Sequence, residues 1–538
     1  MTDSLISSSG SRIVSIAPSN ATEFSQGQKI IFDLDASLGY IKGRDTYIAL
    51  DVLNDSADAS RWTFPQGAGA HSLINRIDIY SRATGQLLET LENYNQWACV
   101  ETQHTHDDFT NIQQLEGVGK PCHQFKNGYA STGAEYRYNL QLDPTAVENS
   151  MLSPLNADGK TPLYATRRFI IQLKCGVFRH WDTEQMTPCV NLGGLRIELI
   201  MEQNNLVCKR LGAISNQPTD DDRPEDIDLV NDGVSIVANL DAGAAVISTD
   251  VNDEDGYFTD LASLGMCIGN AVNLVGTVGG ATVEFPTFIT DLTLAGTQGQ
   301  INISIVPTFP APASPMTDIK LKVLDTQTSY KVKAAELRVA VMMVPPEVIA
   351  SLKGPLMFEF TSYDHFIDTI PATVRRHQVP INSVASKARA VFSHFTDVDT
   401  ETVSSIMSYY AGLSPTDMFL NSVQYFINNR LYPLRAYNPD ANADKPIAVN
   451  ELVKAMKVCG LMPINLGNSE GGNLNDYTNS FLIARELARA EYVADLRNAE
   501  PEVRLAFSQT RAGNIRVNTF VFSRKVVNIG VSGVAVEL

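Results

Sequence analysis

Hydrophobic and polar residues alternate with a period of two at the two places where a section of the chain closes. In the first, Leu195, Ile197, Leu199 and Met201 fall on one face and Arg196 and Glu198 on the other, the pattern of a half-buried strand. In the second, Ile515, Val517, Thr519 and Val521 alternate with Arg516, Asn518 and Phe520, and Val527, Ile529 and Val531 lead on to Val534, Val536 and Leu538. Two such closing strands predict two β-sandwich domains in tandem. Similar alternation marks Phe32 and Leu34, then Thr46, Ile48, Leu50 and Val52, then Ile77 and Ile79, and later Phe169, Ile171 and Leu173. Leu337, Val339, Val341 and Met343 give one apolar face that is expected to open the second domain.

Other local signals fill in the connections. Ser81 to Gly85 reads as a turn, and Leu87, Leu91 and Tyr94 recur at helical spacing, predicting a short helix. The segment from His104 to Lys160 reads as polar loop. Val423 to Asn438 predicts a hairpin around Asn428-Asn429, because Asn tolerates the positive φ of a tight primed turn. A helix is expected from an Asn450 cap to Gly460, and another over 478–498 with Leu482, Ile483, Leu487 and Ala490 on its buried stripe. The resulting plan is an N-terminal arm over 1–24, a first β domain over 25–210, a β-rich insertion or linker over 211–328, and a second β domain over 329–538. The insertion carries short alternations at Ile301 to Ile305 and Ile319 to Val323, with Pro307, Pro310, Pro312 and Pro315 between them.

Composition narrows the function classes. The 538 residues exceed one ordinary core. Forty-two basic against 60 acidic residues give a net charge of −18, so the average surface repels polyphosphate and no sequence-specific nucleic-acid binding is expected. The acidic run Asp220-Asp221-Asp222 with Glu225, Asp226 and Asp228 lacks the Gly and Glu spacing of a calcium loop and reads as exposed loop. Seven Cys at irregular spacing form no disulfide framework, and Cys175 falls on the apolar side of its strand. No secretion signal is expected in Met1 to Ser15, and no transmembrane segment is expected anywhere, since every apolar stretch is shorter than the roughly 18–20 residues of a span.

The chain also lacks a P-loop, a dinucleotide glycine fingerprint, Gly-x-Ser-x-Gly and His-Glu-x-x-His. His104 and His106, with His123 and Asn127 downstream, look like fragments of the cupin metal motifs. Glu116 is too far from His106 for the carboxylate of that motif, and Cys99 and Cys122 do not complete a zinc finger. The expectation is therefore no catalytic residue, no metal site and no cofactor. A cupin-like metal enzyme and an extracellular β-sandwich adhesin or lectin are the alternatives.

Three stretches together resemble the double jelly-roll major capsid proteins of virophages and polinton-like viruses, relatives of the adenovirus hexon. They are Ile77-Asp78-Ile79-Tyr80-Ser81-Arg82-Ala83-Thr84-Gly85-Gln86-Leu87-Leu88-Glu89 with Tyr94-Asn95; Ile171-Gln172-Leu173 with Gly176-Val177-Phe178, Pro188 and the Leu195 strand; and Val526-Val527-Asn528-Ile529 with Gly533-Val534. The resemblance implies an all-β protein of two tandem eight-stranded jelly rolls with short helices, the 211–328 region being variable decoration. It further implies homotrimeric, pseudo-hexameric capsomers forming an icosahedral shell around a DNA genome. Partners would be the chain itself, neighbouring capsomers, and penton and minor or cement proteins. The location would be the virion, after synthesis in the host cytoplasm.

Overall fold

The structure is a computed structural model. It describes residues 11–537 apart from 57–60, 66, 106–114, 119–165, 183–185, 212–224, 228–234, 237–245, 251–270, 296–299, 307–316, 324–328, 343–346, 348–355, 398–409, 464–480, 489–493 and a few shorter breaks.

Sixteen strands form the body of the molecule. The first eight are β1 (Ser11–Ile16), β2 (Lys29–Leu34), β3 (Tyr47–Asn54), β4 (Ile74–Ser81), β5 (Leu87–Leu91), β6 (Thr166–Ile171), β7 (Leu195–Met201) and β8 (Tyr330–Met342). They build one sheet ordered β1–β8–β3–β6 and a second ordered β2–β7–β4–β5. The other eight are β9 (Leu356–Ile370), β10 (Arg376–Pro380), β11 (Ala388–Asp397), β12 (Leu420–Ile427), β13 (Arg430–Tyr437), β14 (Ile483–Glu486), β15 (Glu502–Phe507) and β16 (Ile515–Gly530). Their sheets run β9–β16–β11–β14 and β10–β15–β12–β13. Numbered within its own half, each set has the same order, first–eighth–third–sixth and second–seventh–fourth–fifth. All of these pairings are antiparallel. The chain is thus a tandem pair of eight-stranded jelly rolls, as its sequence leads one to expect.

The alternating faces do what their chemistry requires. Leu195, Ile197 and Leu199 of β7 are fully buried, and so are Leu337 and Val339 of β8. Burying such a side chain contributes about 1.5–3 kcal/mol, which drives the two sheets of each roll together. Asn428 and Asn429 take φ of 51° and 59° between β12 and β13, the primed hairpin turn read from the sequence. Helix α1 (Tyr94–Thr105) follows β5 and helix α2 (Lys445–Val458) follows β13, so each roll carries a helix between its fifth and sixth strands. Gly460, at φ 77°, ends α2: its amide bonds to Lys457 O and that of Leu461 to Met456 O, a Schellman stop.

Several expectations need correction. Residues 11–16, assigned to a coreless arm, form β1, paired with β8 from Ser11 opposite Met342 to Ile16 opposite Leu337. As an edge strand it half-buries only Val14 and Ile16, too few positions to show a pattern. The Leu337–Val341 strand, expected to open the second domain, pairs with β1 and β3 and is the last strand of the first roll. Between β7 and β8 lies a seven-stranded sheet ordered Glu225–Ile227, Thr317–Val323, Ala271–Val278, Ala281–Ala295, Gln300–Val306, Val246–Asp250, Ser235–Ile236. The 211–328 region is therefore inserted within the first roll, with Gly279-Gly280 at positive φ turning its central hairpin. The proline loop and Asp220 to Asp222 lie outside the described residues.

Leu87 and Leu91 belong to strand β5, and the helix begins only at Tyr94. The helix expected over 478–498 does not form among the described residues: Ile483–Glu486 are strand β14, and the described residues on either side are in no helix. Phe481, Leu482, Ile483 and Ala484 are all buried, and an apolar run covered on every side has no period to separate helix from strand. Helix α2 starts at Lys445, five residues before Asn450, with Pro446 in its first turn.

Candidate functional site

The most elaborate side-chain arrangement among the described residues lies where the two rolls meet. Helix α1 is buried along nearly its whole circumference. Its Trp97 packs against Tyr363, Phe392, Phe520 and Phe522 of the second roll, with ring centroids 5.8, 5.2, 5.2 and 4.7 Å away. Those four rings share one face, because the ladder sets Tyr363 opposite Phe522 and Phe392 opposite Phe520. Trp181, from the segment after β6, adds contacts at 5.1 Å to Phe522 and 5.8 Å to Tyr363.

Glu101, one helical turn beyond Trp97, anchors both indoles. Its Oε2 accepts from Trp97 Nε1 at 3.0 Å and Trp181 Nε1 at 2.9 Å, while Oε1 accepts from Lys174 Nζ at 2.9 Å and lies 2.5 Å from His180 Nε2. Burial alone would raise the pKa of this carboxyl, but Lys174, His180 and Trp181 outweigh it and hold the group well below the usual carboxylate range. An ion pair buried this deeply persists because every acceptor site is filled.

A second carboxylate works in the opposite sense. Glu89 of β5 accepts from the Gly176 and Val177 amides at 2.8 and 2.9 Å and from Ser362 Oγ of β9 at 2.6 Å. Burial pushes its pKa up despite these bonds. Asp182 accepts from the Thr361 amide at 2.7 Å and from its hydroxyl at 3.0 Å. Arg179 donates to Glu359 O and stacks 4.2 Å over the Phe358 ring, and its burial lowers its pKa to about 10. Asn95 Nδ2 donates to Tyr410 Oη at 3.2 Å, and Tyr363 Oη donates to Glu92 O at 3.3 Å. Gly176 is required here because a Cβ at that position would collide with Thr361 O.

The arrangement is cohesive rather than reactive. Apart from Arg179 Nε, the donors and acceptors named here are paired with one another, the aromatic rings are buried, and they tie one roll to the other as a continuous core. Among the described residues no group of three or more His, Cys, Asp or Glu could hold a metal ion, and no helix is long and apolar enough to cross a membrane. Cys99, Cys175, Cys189, Cys208 and Cys459 are buried thiols outside any disulfide, and burial pushes that of Cys189 up to about 12.

The histidines of the cupin alternative fare differently. His104 is not in a polar loop: it sits in α1, 2% exposed, with Nδ1 2.7 Å from Val100 O. Glu116 pairs with His71, 3.2 Å from its Nε2, and Cys99 accepts from Gln103. His106, Cys122, His123 and Asn127 lie outside the described residues. None of Glu89, Trp97, Glu101 or Trp181 stood out in the sequence as a functional residue. The available signals were a Glu inside the apolar Leu87–Leu91 run, and the Trp97–Glu101 spacing of one helical turn.

No family model and no curated protein matches the sequence. Solved structures do. The Faustovirus major capsid protein is 9% identical, with 97% of this chain and 91% of that one covered at a TM-score of 0.50. VP54 of PBCV-1, fitted into a reconstruction of the virophage Sputnik, is 9% identical over 98% of this chain and 97% of that one, at a TM-score of 0.49. The Sputnik virophage structure gives 11% identity over 98% and 88%, at 0.47. The likeness to the Faustovirus protein is one of fold, and at that level the resemblance to double jelly-roll capsid proteins read from the sequence is borne out.

Proposed function

We propose that this protein is a viral major capsid protein and performs no catalysis. The observation that carries the reading is the strand-for-strand duplication: two rolls of identical sheet order are fused through a buried seam. Three copies of a rigid two-roll body around a three-fold axis present six nearly equivalent rolls, so a trimer fills a hexagonal lattice position. The sheet edges and flanks that such association covers would otherwise be left to water. On this reading the capsomers form an icosahedral shell around a DNA genome, with penton and minor or cement proteins as further partners. The protein is made in the host cytoplasm and resides in the virion. Its boundaries follow the strands, the first roll ending with β8 and the second beginning with β9.

Electron microscopy of the purified protein in negative stain tests this reading. It should show compact particles with a hexagonal outline and three-fold symmetry. Isolated two-lobed particles at all concentrations would overturn it.

A further inference from the structure

Strand β13 is the outer edge of the β10–β15–β12–β13 sheet, and it carries Leu434, whose 92% exposure is the highest of the large hydrophobic residues described. A lone exposed leucine is common and needs no explanation. This one is displayed by a built feature. Val423 faces Tyr437 and Tyr425 faces Tyr432, so β12 advances two residues while β13 advances five, which leaves three extra residues on the edge. Gln424 braces the resulting bulge, its Nε2 donating to Pro433 O at 2.9 Å and Leu434 O at 3.2 Å. Bulges at sheet edges re-aim side chains, and here the side chain turned outward is apolar.

The neighbours of Leu434 narrow what it can meet. Pro433 has no amide to donate, and Arg430 and Arg435 are exposed, features that guard an edge against the addition of another strand. Contact must then be made by side chains. Arg430 and Arg435 form no ion pair with a carboxylate among the described residues, whereas the chain as a whole carries 60 acidic against 42 basic groups. A leucine between two cations that pair with no described carboxylate fits an apolar recess with an acidic rim, and a second copy of this chain, with its excess of acidic over basic groups, can supply such acid.

We propose that Leu434, flanked by Arg430 and Arg435, is a docking knob by which one copy of this chain grips a second. The inference rests on the capsid reading and adds to it the residues that make the contact.

The test compares the full-length chain with Leu434→Asp and with the double variant Arg430→Glu, Arg435→Glu. Light scattering over a concentration series and electron microscopy of assembled particles supply the readouts. Because the side chain stands in water, the thermal midpoint of the dissociated chain should not move. Self-association or particle formation should require at least about tenfold more protein, as the loss of one well-buried contact implies. Leu434→Ala, which only trims the knob, serves if the Asp variant is insoluble. Variants that associate and assemble at the same concentrations as the parent chain would overturn the proposal while leaving the capsid reading intact. A parent chain that never associates would sink both.

Discussion

Replacing Trp97 by Ala removes the centre of the seam. The side chain is fully buried, touches four aromatic rings of the second roll and donates to Glu101. Truncating a buried aromatic of this size costs about 3–5 kcal/mol. The hydrogen bond to the buried carboxylate is worth about 1.5–3 kcal/mol more, part of which overlaps with the first figure. A total loss of about 4–6 kcal/mol is therefore expected, against a whole-domain stability of about 5–15 kcal/mol. Trp97→Phe keeps a six-membered ring in the seam but loses the N–H and the rest of the pyrrole ring, so it should cost less than the Ala change but no less than the hydrogen bond itself, about 1.5–3 kcal/mol. Urea unfolding followed by far-UV circular dichroism, at matched protein concentration, measures both. An Ala variant within about 1 kcal/mol of the parent would refute the view that the seam joins the rolls, since ordinary surface substitutions reach about half that.

Two further predictions follow from the same structure. Glu101 has a folded-state pKa well below its ordinary value of 4.5, so the stability it contributes is fully present above pH 4.5 and is lost as pH falls from there through the folded value. Glu101→Gln should be less stable at neutral pH by about 3–5 kcal/mol, yet its denaturation midpoint should change less between pH 4.5 and 2.5; an equally steep acid limb would contradict the assignment. At the termini, deleting residues 1–19 removes β1 with its half-buried Val14 and Ile16, and deleting 533–538 removes a strand whose Val534 and Val536 are only half-buried. Each truncated chain should stay soluble and folded, with a thermal midpoint lowered by a few degrees, consistent with about 1–3 kcal/mol; an insoluble C-terminal truncation would show that those valines carry more of the core.

The clearest strand to read from the sequence is one with a wet and a dry face: β7 alternates because its environment alternates. β16 is buried on both faces from Val517 to Ser523 and is legible through its long run of β-branched and aromatic residues instead, and the β12–β13 turn is visible because Asn428 and Asn429 adopt a backbone few other residues tolerate. Three elements escaped for physical reasons. β1 is an edge strand with two half-buried positions, β14 lies in a run buried on all sides, and α1 buries Asn95, Gln96, Glu101, Thr102, Gln103 and His104 together with its apolar residues. A helix whose polar groups are satisfied internally has no amphipathic stripe, so its C-terminal end looked like a polar loop. The placement of β8 failed for a different reason: its alternation was clear, but nothing local indicates which of two sheets a strand joins. The seam was illegible for the same cause, since Glu89 and Glu101 acquire their meaning from Ser362, Lys174, His180 and Trp181, which are distant in sequence.

The molar mass of the purified full-length protein in solution bears most directly on the central claim. Size-exclusion chromatography with multi-angle light scattering at micromolar concentration should give about three times the 58.8 kDa chain mass, in one peak that persists on dilution. A single peak at 58.8 kDa across the concentration range would contradict the capsomer account.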